Sequence, residues 1–554
     1  MAEQPNWRDR MVIEGELATI TIDPHNAADY PLFLAAKRLP NYRVNGNRIT
    51  TNRDYLRYLD PAFSTEAERE VTVSSHLWDY QAFIVKVALR KRRYAVFAEA
   101  GLGKTAIFLE WARHVLERIG GRKILIVSPL MVISQTLDEE RKFYGANLVT
   151  DIHRTGLDIW LDSDSPIGIT NFEKFIEPHN LRGRVGAVII DESSVLKNAD
   201  GKTRTSLIET FKGLEYKLAC TATPAPNDRE EYASHALFLE QIRSTNEFFA
   251  RYFIQKDNQW MLKAHAAEAF YRYLSGFSVF LRDPKRYGFA DNLAGLLPPI
   301  IQEVHVPLTP EQVQAAQDYQ TGEGRQLTMT GDPASLQERT KSAQIAKGFV
   351  LVDGKPVRIP SDKPRTIAEL LAQHPGEQAI IWTAYDEEGE ILAGAIPGAV
   401  HLYGKTPERE RERIVEEFRI GRIPILITKP RLMGFGMNLQ FCTVQIWSGF
   451  TDSFEQLHQG IKRSHRYGQT KQLHVYMVVT HLEEPLLRNV LSKKTTFEAD
   501  ASYQEDLYIK SLAEDLREFM ERSEAGTVKE KEPRTPVNPD QVRRWFERGK
   551  GIAS

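Results

Sequence analysis

Ala98-Glu99-Ala100-Gly101-Leu102-Gly103-Lys104-Thr105 follows the apolar run Tyr94 to Phe97 and leads into the helix-patterned stretch Ala106 to Leu116. A strand, a glycine loop and a helix start are what a nucleoside triphosphate needs. Backbone N–H groups of Gly101, Leu102 and Gly103 can approach and cradle phosphates, Lys104 can reach the β and γ oxygens, and the Thr105 hydroxyl can ligate Mg²⁺. The pattern is A-x-x-G-x-G-K-T, with Ala98 where the usual phosphate loop has its first glycine. Standing alone, it could also be a strand-to-helix turn carrying a chance lysine.

The chain around this loop sets limits. Its 554 residues are too many for one core and suggest about three to four folding units. Hydrophobic content of 42% and charged content of 26% are those of a globular protein. No run approaches the ~18 apolar residues of a membrane span, and MAEQPNWRDR lacks the apolar centre of a signal peptide, so a cytoplasmic protein with no membrane partner is expected. Cys220 and Cys442 sit in apolar strand-like runs and read as small buried hydrophobes, with no disulfide expected. The net charge of −2 means that any nucleic acid must be held by a local groove and not by a globally basic surface.

Periodicity divides the chain. Residues 1–70 read as a small N-terminal α+β accessory module, with a helical stretch near Tyr30 to Arg38 and a hairpin turn at Asn45-Gly46. Residues 71–227 alternate helical patterns with β-rich runs at Ile124 to Val127, Ile167 to Thr170, Val185 to Ile190 and Tyr216 to Cys220, which predicts a parallel sheet covered by helices. Residues 228–344 read as a helical insertion and linker, broken at Pro298-Pro299. A second α/β lobe spans 345–495, with strands expected at Ala379 to Thr383, Ala399 to Leu402, Ile425 to Thr428, Val444 to Trp447 and His474 to Val479. Residues 496–554 form a helical tail that ends rich in Lys, Glu and Pro and is expected to be partly mobile.

Chemistry clusters at the strand ends. Val188-Ile189-Ile190 delivers Asp191-Glu192 where open parallel sheets place ligands. Asp191 would hold Mg²⁺ and Glu192 would polarise the attacking water; two solvated acids ending a strand are the bland alternative. Thr221-Ala222-Thr223-Pro224 could sense this acidic pair or be an ordinary capped turn. Gln81, in Leu77-Trp78-Asp79-Tyr80-Gln81, offers a carboxamide suited to an adenine edge, or is an exposed glutamine at a helix start. Arg90 to Arg93 precede a buried strand and read as a solvated helix end in preference to a nucleic-acid patch. In the second lobe, Gln459, Arg463 and Arg466 lie at spacings of four and three, one face of a helix. Two guanidiniums on one face call for an anion opposite, such as a γ-phosphate, although an exposed basic helix has the same pattern. Gly434-Phe435-Gly436-Met437-Asn438-Leu439 is a glycine-bearing turn that could touch nucleotide and polynucleotide backbone.

In this order the motifs resemble those of the superfamily 2 helicases, within them the Swi/Snf-like branch of double-stranded DNA translocases, over roughly Leu77 to Lys494. Leu77-x-x-Tyr80-Gln81 resembles the adenine-reading motif, Ala98 to Thr105 motif I, Ser128-Pro129-Leu130 motif Ia and Ile169 to Glu173 motif Ib. Asp191-Glu192-Ser193-Ser194 is similar to motif II, Thr221 to Pro224 to motif III and Gly434 to Leu439 to motif V. The stretch Gln459-x-x-x-Arg463-x-x-Arg466-x-Gly468-Gln469 resembles motif VI, the most specific of the set. Ser193-Ser194 departs from the branch's usual Ala-His, and Ala98 and Ala100 from its more frequent Asp and Met.

The resemblance implies two tandem RecA-like parallel-sheet lobes clasping ATP and Mg²⁺. Lys104, Asp191, Glu192, Gln459, Arg463 and Arg466 would be catalytic, Gln81, Gly101 to Thr105 and Gly436 nucleotide-binding, and Thr105 and Asp191 metal-binding. DNA, duplex favoured, is the implied partner. No nuclease motif is seen, so cleavage would come from a protein partner such as a nuclease; a replication factor is another such partner. The rival expectations are a single-strand DNA or RNA helicase and an ATP-gated scaffold without motor activity.

Overall fold

The computed structural model describes residues 7–14, 17–39, 42–60, 71–145, 147–197, 201–225, 229–256, 259–290, 295–321, 336–433, 438–451, 453–466 and 469–525. The chain divides into two compact units, one of residues 1–99, 103–290 and 502–554, the other of residues 100–102 and 291–501.

The first unit opens with strands β1 (Met11–Glu14), β2 (Leu17–Thr21), β3 (Tyr42–Asn45) and β4 (Arg48–Asn52). They form an antiparallel sheet in the order β1-β2-β4-β3. Gly46, at φ 58, makes the turn between β3 and β4. Alternate residues Ala18, Ile20 and Ile49 face helix Asp29–Ala36 and close a small core with Ala36, Tyr55 and Leu56.

Strands β5 (Arg93–Ala98), β6 (Lys123–Ser128), β7 (Val149–Asp151), β8 (Ile167–Asn171), β9 (Val185–Asp191) and β10 (Tyr216–Thr221) follow. Nearly every residue of β5, β6 and β8 to β10 is buried, the continuous apolar signature of a sheet covered on both faces.

The stretch expected to be a helical insertion also contains strands. A hairpin of β11 (Phe253–Lys256) and β12 (Gln259–Leu262) projects from it, and β13 (Ser278–Leu281) joins β5 as an edge. Runs of four residues are too short to show a period of two against the aromatic helical pattern around them. The sheet order is β13-β5-β10-β9-β6-β8-β7, all parallel. The last helix, Glu484–Ala525, returns to this edge: Tyr508 Oη meets Ser278 Oγ at 2.7 Å, and Glu505 accepts from the Arg282 N–H at 2.8 Å and pairs with Arg286 at 2.7 Å. That helix begins before residue 496, so it runs across the expected tail boundary.

The second unit starts earlier than the expected lobe. Strand β14 (Ile300–His305), directly after Pro298-Pro299, forms the edge of its sheet, and a small hairpin of β15 (Phe349–Val352) and β16 (Lys355–Arg358) precedes the main strands. These are β17 (Ala379–Trp382), β18 (Ala399–Leu402), β19 (Ile425–Thr428), β20 (Val444–Trp447) and β21 (His474–Val479). The order is β14-β21-β20-β17-β19-β18, again parallel throughout. Ile381, Ile427, Val444, Ile446 and Val478 build the core with Ile367 and Leu392 from the covering helices.

Candidate active site

Register aligns the chemistry in the first unit. Val96 of β5 pairs with Cys220 of β10, which pairs with Asp191 of β9. Three neighbouring strands therefore end level, and release the glycine loop, Thr221 and Asp191-Glu192 side by side. Gly101 and Gly103 have φ of 88° and 71°, so the loop reverses and helix Lys104–Leu116 begins at Lys104. A side chain at 103 would be strained by that backbone, and its Cβ would lie 2.4 Å from Gln81 Nε2, displacing the Gln81 carboxamide.

Gln81 is buried and not exposed at its helix start. Its Oε1 accepts from the Trp78 N–H at 2.9 Å, capping helix Asp79–Lys91, while Nε2 faces Tyr80 Oη at 3.4 Å. Lys104 Nζ donates to the carbonyls of Ala98 at 2.9 Å and Glu99 at 3.5 Å. These are neutral acceptors, which a charged phosphate oxygen outcompetes for an ammonium.

Asp191 is buried, and burial, reinforced by the charge of Glu192 and opposed by Lys104, pushes its carboxyl up to about 7. Ser128 Oγ donates weakly to it at 3.4 Å. Glu192 has φ 61°, an uncommon backbone for a residue with a side chain, and its Oε1 accepts from Thr221 Oγ1 at 2.6 Å and Ser194 Oγ at 3.1 Å. The hydroxyl-rich turn thus does touch the acidic pair. Thr105 stands in the first helical turn, and among the described residues no cluster of three His, Cys, Asp or Glu could hold a metal by itself. One buried carboxylate whose charge is disfavoured, plus one hydroxyl, is the donor set of a magnesium ion that takes its other ligands from phosphate and water.

Ser193, at the departure from the branch pattern, meets His235 Nε2 at 3.1 Å. His235 belongs to helix Tyr232–Phe238, lies edge-on to Phe97 at 5.1 Å and is fully buried, which pushes its pKa down to about 4 and keeps it neutral. Sequence reading missed it because a lone histidine among apolar helix residues has no motif partner. Arg92 and Arg93 pair with Glu215 at 2.8 Å and Glu240 at 3.1 Å, so they serve the fold; Arg92 follows the helix, but Arg93 is the first residue of β5 and both are partly buried, not a solvated helix end.

In the second unit, helix Phe454–Ser464 carries Gln459 and Arg463. Ser453 Oγ accepts from the Gln456 N–H at 3.3 Å to start it, and Gln445, the one polar residue of β20, holds its far end by donating to the Gly460 carbonyl and Ser464 Oγ, both at 2.8 Å. Gly460 is needed for this close approach: a Cβ there would lie 2.6 Å from Trp447. The expected single helical face is corrected for Arg466. The helix ends at Ser464, and His465 leaves helical geometry with ψ 80° and its Nε2 3.0 Å from the Leu297 carbonyl. Arg466 is instead placed by a turn in which its N–H donates to the Ser464 carbonyl at 3.0 Å and its carbonyl accepts from the Gln469 N–H at 3.1 Å. Arg463 is buried, whereas Gln459 and Arg466 are half-buried. Gly436 lies outside the described residues; the end of its turn is tied to the arginine segment by Leu439 N–H donating to the Arg463 carbonyl at 3.1 Å.

Residues 78–232 match the DEAD/DEAH box helicase family, and residues 362–468 match the helicase conserved C-terminal domain. The chain carries a DEAD/DEAH box helicase domain and a helicase conserved C-terminal domain, and its relatives include Swi/Snf-type chromatin-remodeling ATPases. The helicase is similar to the uncharacterized ATP-dependent helicase YqhH of Bacillus subtilis, 26% identical over 78% of this chain and 81% of that protein. It is 25% identical to the ISWI chromatin-remodeling complex ATPase ISW2 of Saccharomyces cerevisiae, over 79% of this chain but 42% of that protein's length. Among solved structures it is similar to the Sulfolobus solfataricus SWI2/SNF2 ATPase core in complex with dsDNA, at 20% identity and a TM-score of 0.37, covering 82% of this chain and 98% of that one. The helicase binds ATP and is an ATP-hydrolysing enzyme.

Proposed function

We propose that this ATP-dependent helicase is a Mg²⁺-dependent, DNA-stimulated ATPase that uses hydrolysis to translocate along duplex DNA. The observation that carries the reading is the level ending of β5, β10 and β9, which puts Lys104, Thr221, Asp191 and Glu192 at one edge of one sheet. Gly101 to Thr105 would bind the phosphates, Thr105 and Asp191 would hold Mg²⁺, and Glu192, oriented by Thr221 and Ser194, would polarise the attacking water. Mg²⁺, when bound there, would supply charge neutralisation for the triphosphate. Gln81 reads the adenine edge, for which it exchanges its bond to Trp78. Arg463 and Arg466, with Gln459 and Gly436, act on the transferring phosphoryl group as the resemblance implies.

Duplex DNA is favoured by the motif VI pattern of the Swi/Snf-like branch. With a net charge of −2, binding rests on local phosphate contacts and weakens steeply with salt. The helicase acts in the cytoplasm, and a nuclease partner supplies any cleavage. Hydrolysis measured in parallel without polynucleotide and with single-stranded DNA, duplex DNA and RNA tests the reading. Strongest stimulation by duplex DNA is expected. Strongest stimulation by single strands or RNA replaces the duplex assignment, and DNA-independent turnover replaces the motor with an ATP-gated scaffold.

A further inference from the structure

Four charged side chains are buried at the C-terminal edge of the second sheet, and nothing in the hydrolysis scheme uses them. Lys347, Lys363, Glu388 and Glu483 are each 3% exposed or less. Lys347 Nζ lies 2.5 Å from one Glu483 carboxylate oxygen and Lys363 Nζ 2.6 Å from the other, and the same carboxylate accepts from the Thr480 N–H at 3.1 Å. Glu388 Oε2 accepts from the Ala384 N–H at 2.8 Å. Both lysines hold Glu483 well below the usual carboxylate range, at about 2, so it stays ionised in the core. Two cations and two anions balance.

Lys363 and Glu388 meet at Ser448. Its carbonyl accepts from Lys363 Nζ at 2.8 Å, and its hydroxyl donates to Glu388 Oε1 at 2.8 Å. Ser448 directly follows β20, and the sheet order reverses between β20 and β17, the position at which open α/β sheets leave a crevice for a ligand. Here the chain's own charges fill that crevice. A buried ion cluster is a poor route to stability, because apolar residues of similar volume hold a fold as well or better. What it supplies is direction: an ammonium and a carboxylate fix one residue from two sides. In sequence only four residues separate Ser448 from Ser453, which starts helix Phe454–Ser464.

We propose that Lys363 is a positioning residue for the arginine segment, fixing the Ser448 carbonyl at the end of β20, from which the chain leads on to the helix of Gln459 and Arg463. Lys347 touches Glu483 but not Ser448, so it serves the cluster's charge balance alone. The inference rests on the reading that Arg463 and Arg466 act in hydrolysis.

The test compares Lys363→Met and Lys347→Met in the full chain by thermal melting, ATP affinity and steady-state hydrolysis. Lys363→Met is expected to lower kcat about tenfold or more with KM for ATP changed less than about threefold, whereas Lys347→Met lowers Tm but leaves kcat within about twofold. Equal kcat losses in the two variants, or an unchanged kcat in Lys363→Met, overturn the proposal. Should Lys363→Met not fold, Glu388→Gln, which acts on the Ser448 hydroxyl, must show the same split between kcat and KM; without it the proposal fails. Arg466→Ala measured alongside separates the two readings: if it turns over normally, the arginine assignment itself is wrong, and if it is slow while Lys363→Met is normal, only the positioning role is lost.

Discussion

At the C-terminal edge of the first sheet, Lys104 leans on neutral carbonyls and Asp191 is buried beside Glu192 with its charge disfavoured; at the same edge of the second sheet, four buried charges are matched against one another. Both edges lie where parallel sheets bind ligands, and both carry lysine and carboxylate. The first is electrostatically unsettled in the folded chain, and in the proposed reaction phosphate and a cation would settle it. The second is settled in the folded chain, so it can act as a rigid platform for residues that must be aimed. One edge is built to receive charge and the other to hold direction.

The sharpest way to break this comparison is Lys104→Ala, which should abolish turnover while circular dichroism and Tm show an intact fold, since the lysine's partners in the fold are two carbonyls that solvent can satisfy. Wild-type hydrolysis in that variant would remove the phosphate loop from the mechanism. For Arg466→Ala, turnover is expected to fall by about 10³-fold with ATP still bound, as for other arginines that meet a transferring phosphoryl group; a nucleotide-binding titration paired with a rate measurement checks it.

Next in size is Glu483→Ala, which strands two buried lysines and should cost about 3 to 5 kcal/mol in a denaturant melt. The pH dependence has a definite sign: the depressed Glu483 carboxyl contributes stability above its ordinary pKa of 4.5, and that contribution disappears as pH falls toward about 2. The smallest effect runs the other way. Asp191 has a folded-state pKa raised from 3.8 to about 7, so its ionised form is penalised in the fold, increasingly as pH climbs through that window. Asp191→Asn should therefore raise stability on the order of 2 kcal/mol above neutral pH while abolishing hydrolysis. A variant that is destabilised there would mean the acid is already compensated in the fold, and the contrast between the edges would collapse.

The first edge was largely legible in the sequence because its chemistry is local: a glycine loop before a helix, two acids ending an apolar strand and a threonine turn each announce themselves within a few residues. Most strand positions of both sheets were legible for the same reason, those of β7, β13 and β14 being the exceptions. The second edge was not. Lys347, Lys363, Glu388 and Glu483 belong to no local motif, and only the folding of segments far apart in sequence brings them together. Gln445 offered a weaker signal as a polar residue inside an apolar strand. The helical face drawn through Arg466 failed because spacing alone does not show where a helix stops, and here His465 ends it. The edge strands β13 and β14 escaped because four to six residues beside helical or proline-rich sequence carry too little pattern.

The placement of Glu505 and Tyr508 against the end of β13 bears on how the protein is made. Synthesis runs from the N-terminus, and the first unit includes residues that follow the whole second unit in the chain. A ribosome that has finished the nucleotide-binding sheet has not yet supplied the helix that covers its edge strand, so the backbone N–H groups of Arg282 and Asp283 wait for the Glu505 carboxylate until more than two hundred further residues have emerged. During translation the nascent ATPase half is therefore incomplete, and its closure waits for the synthesis of the second unit.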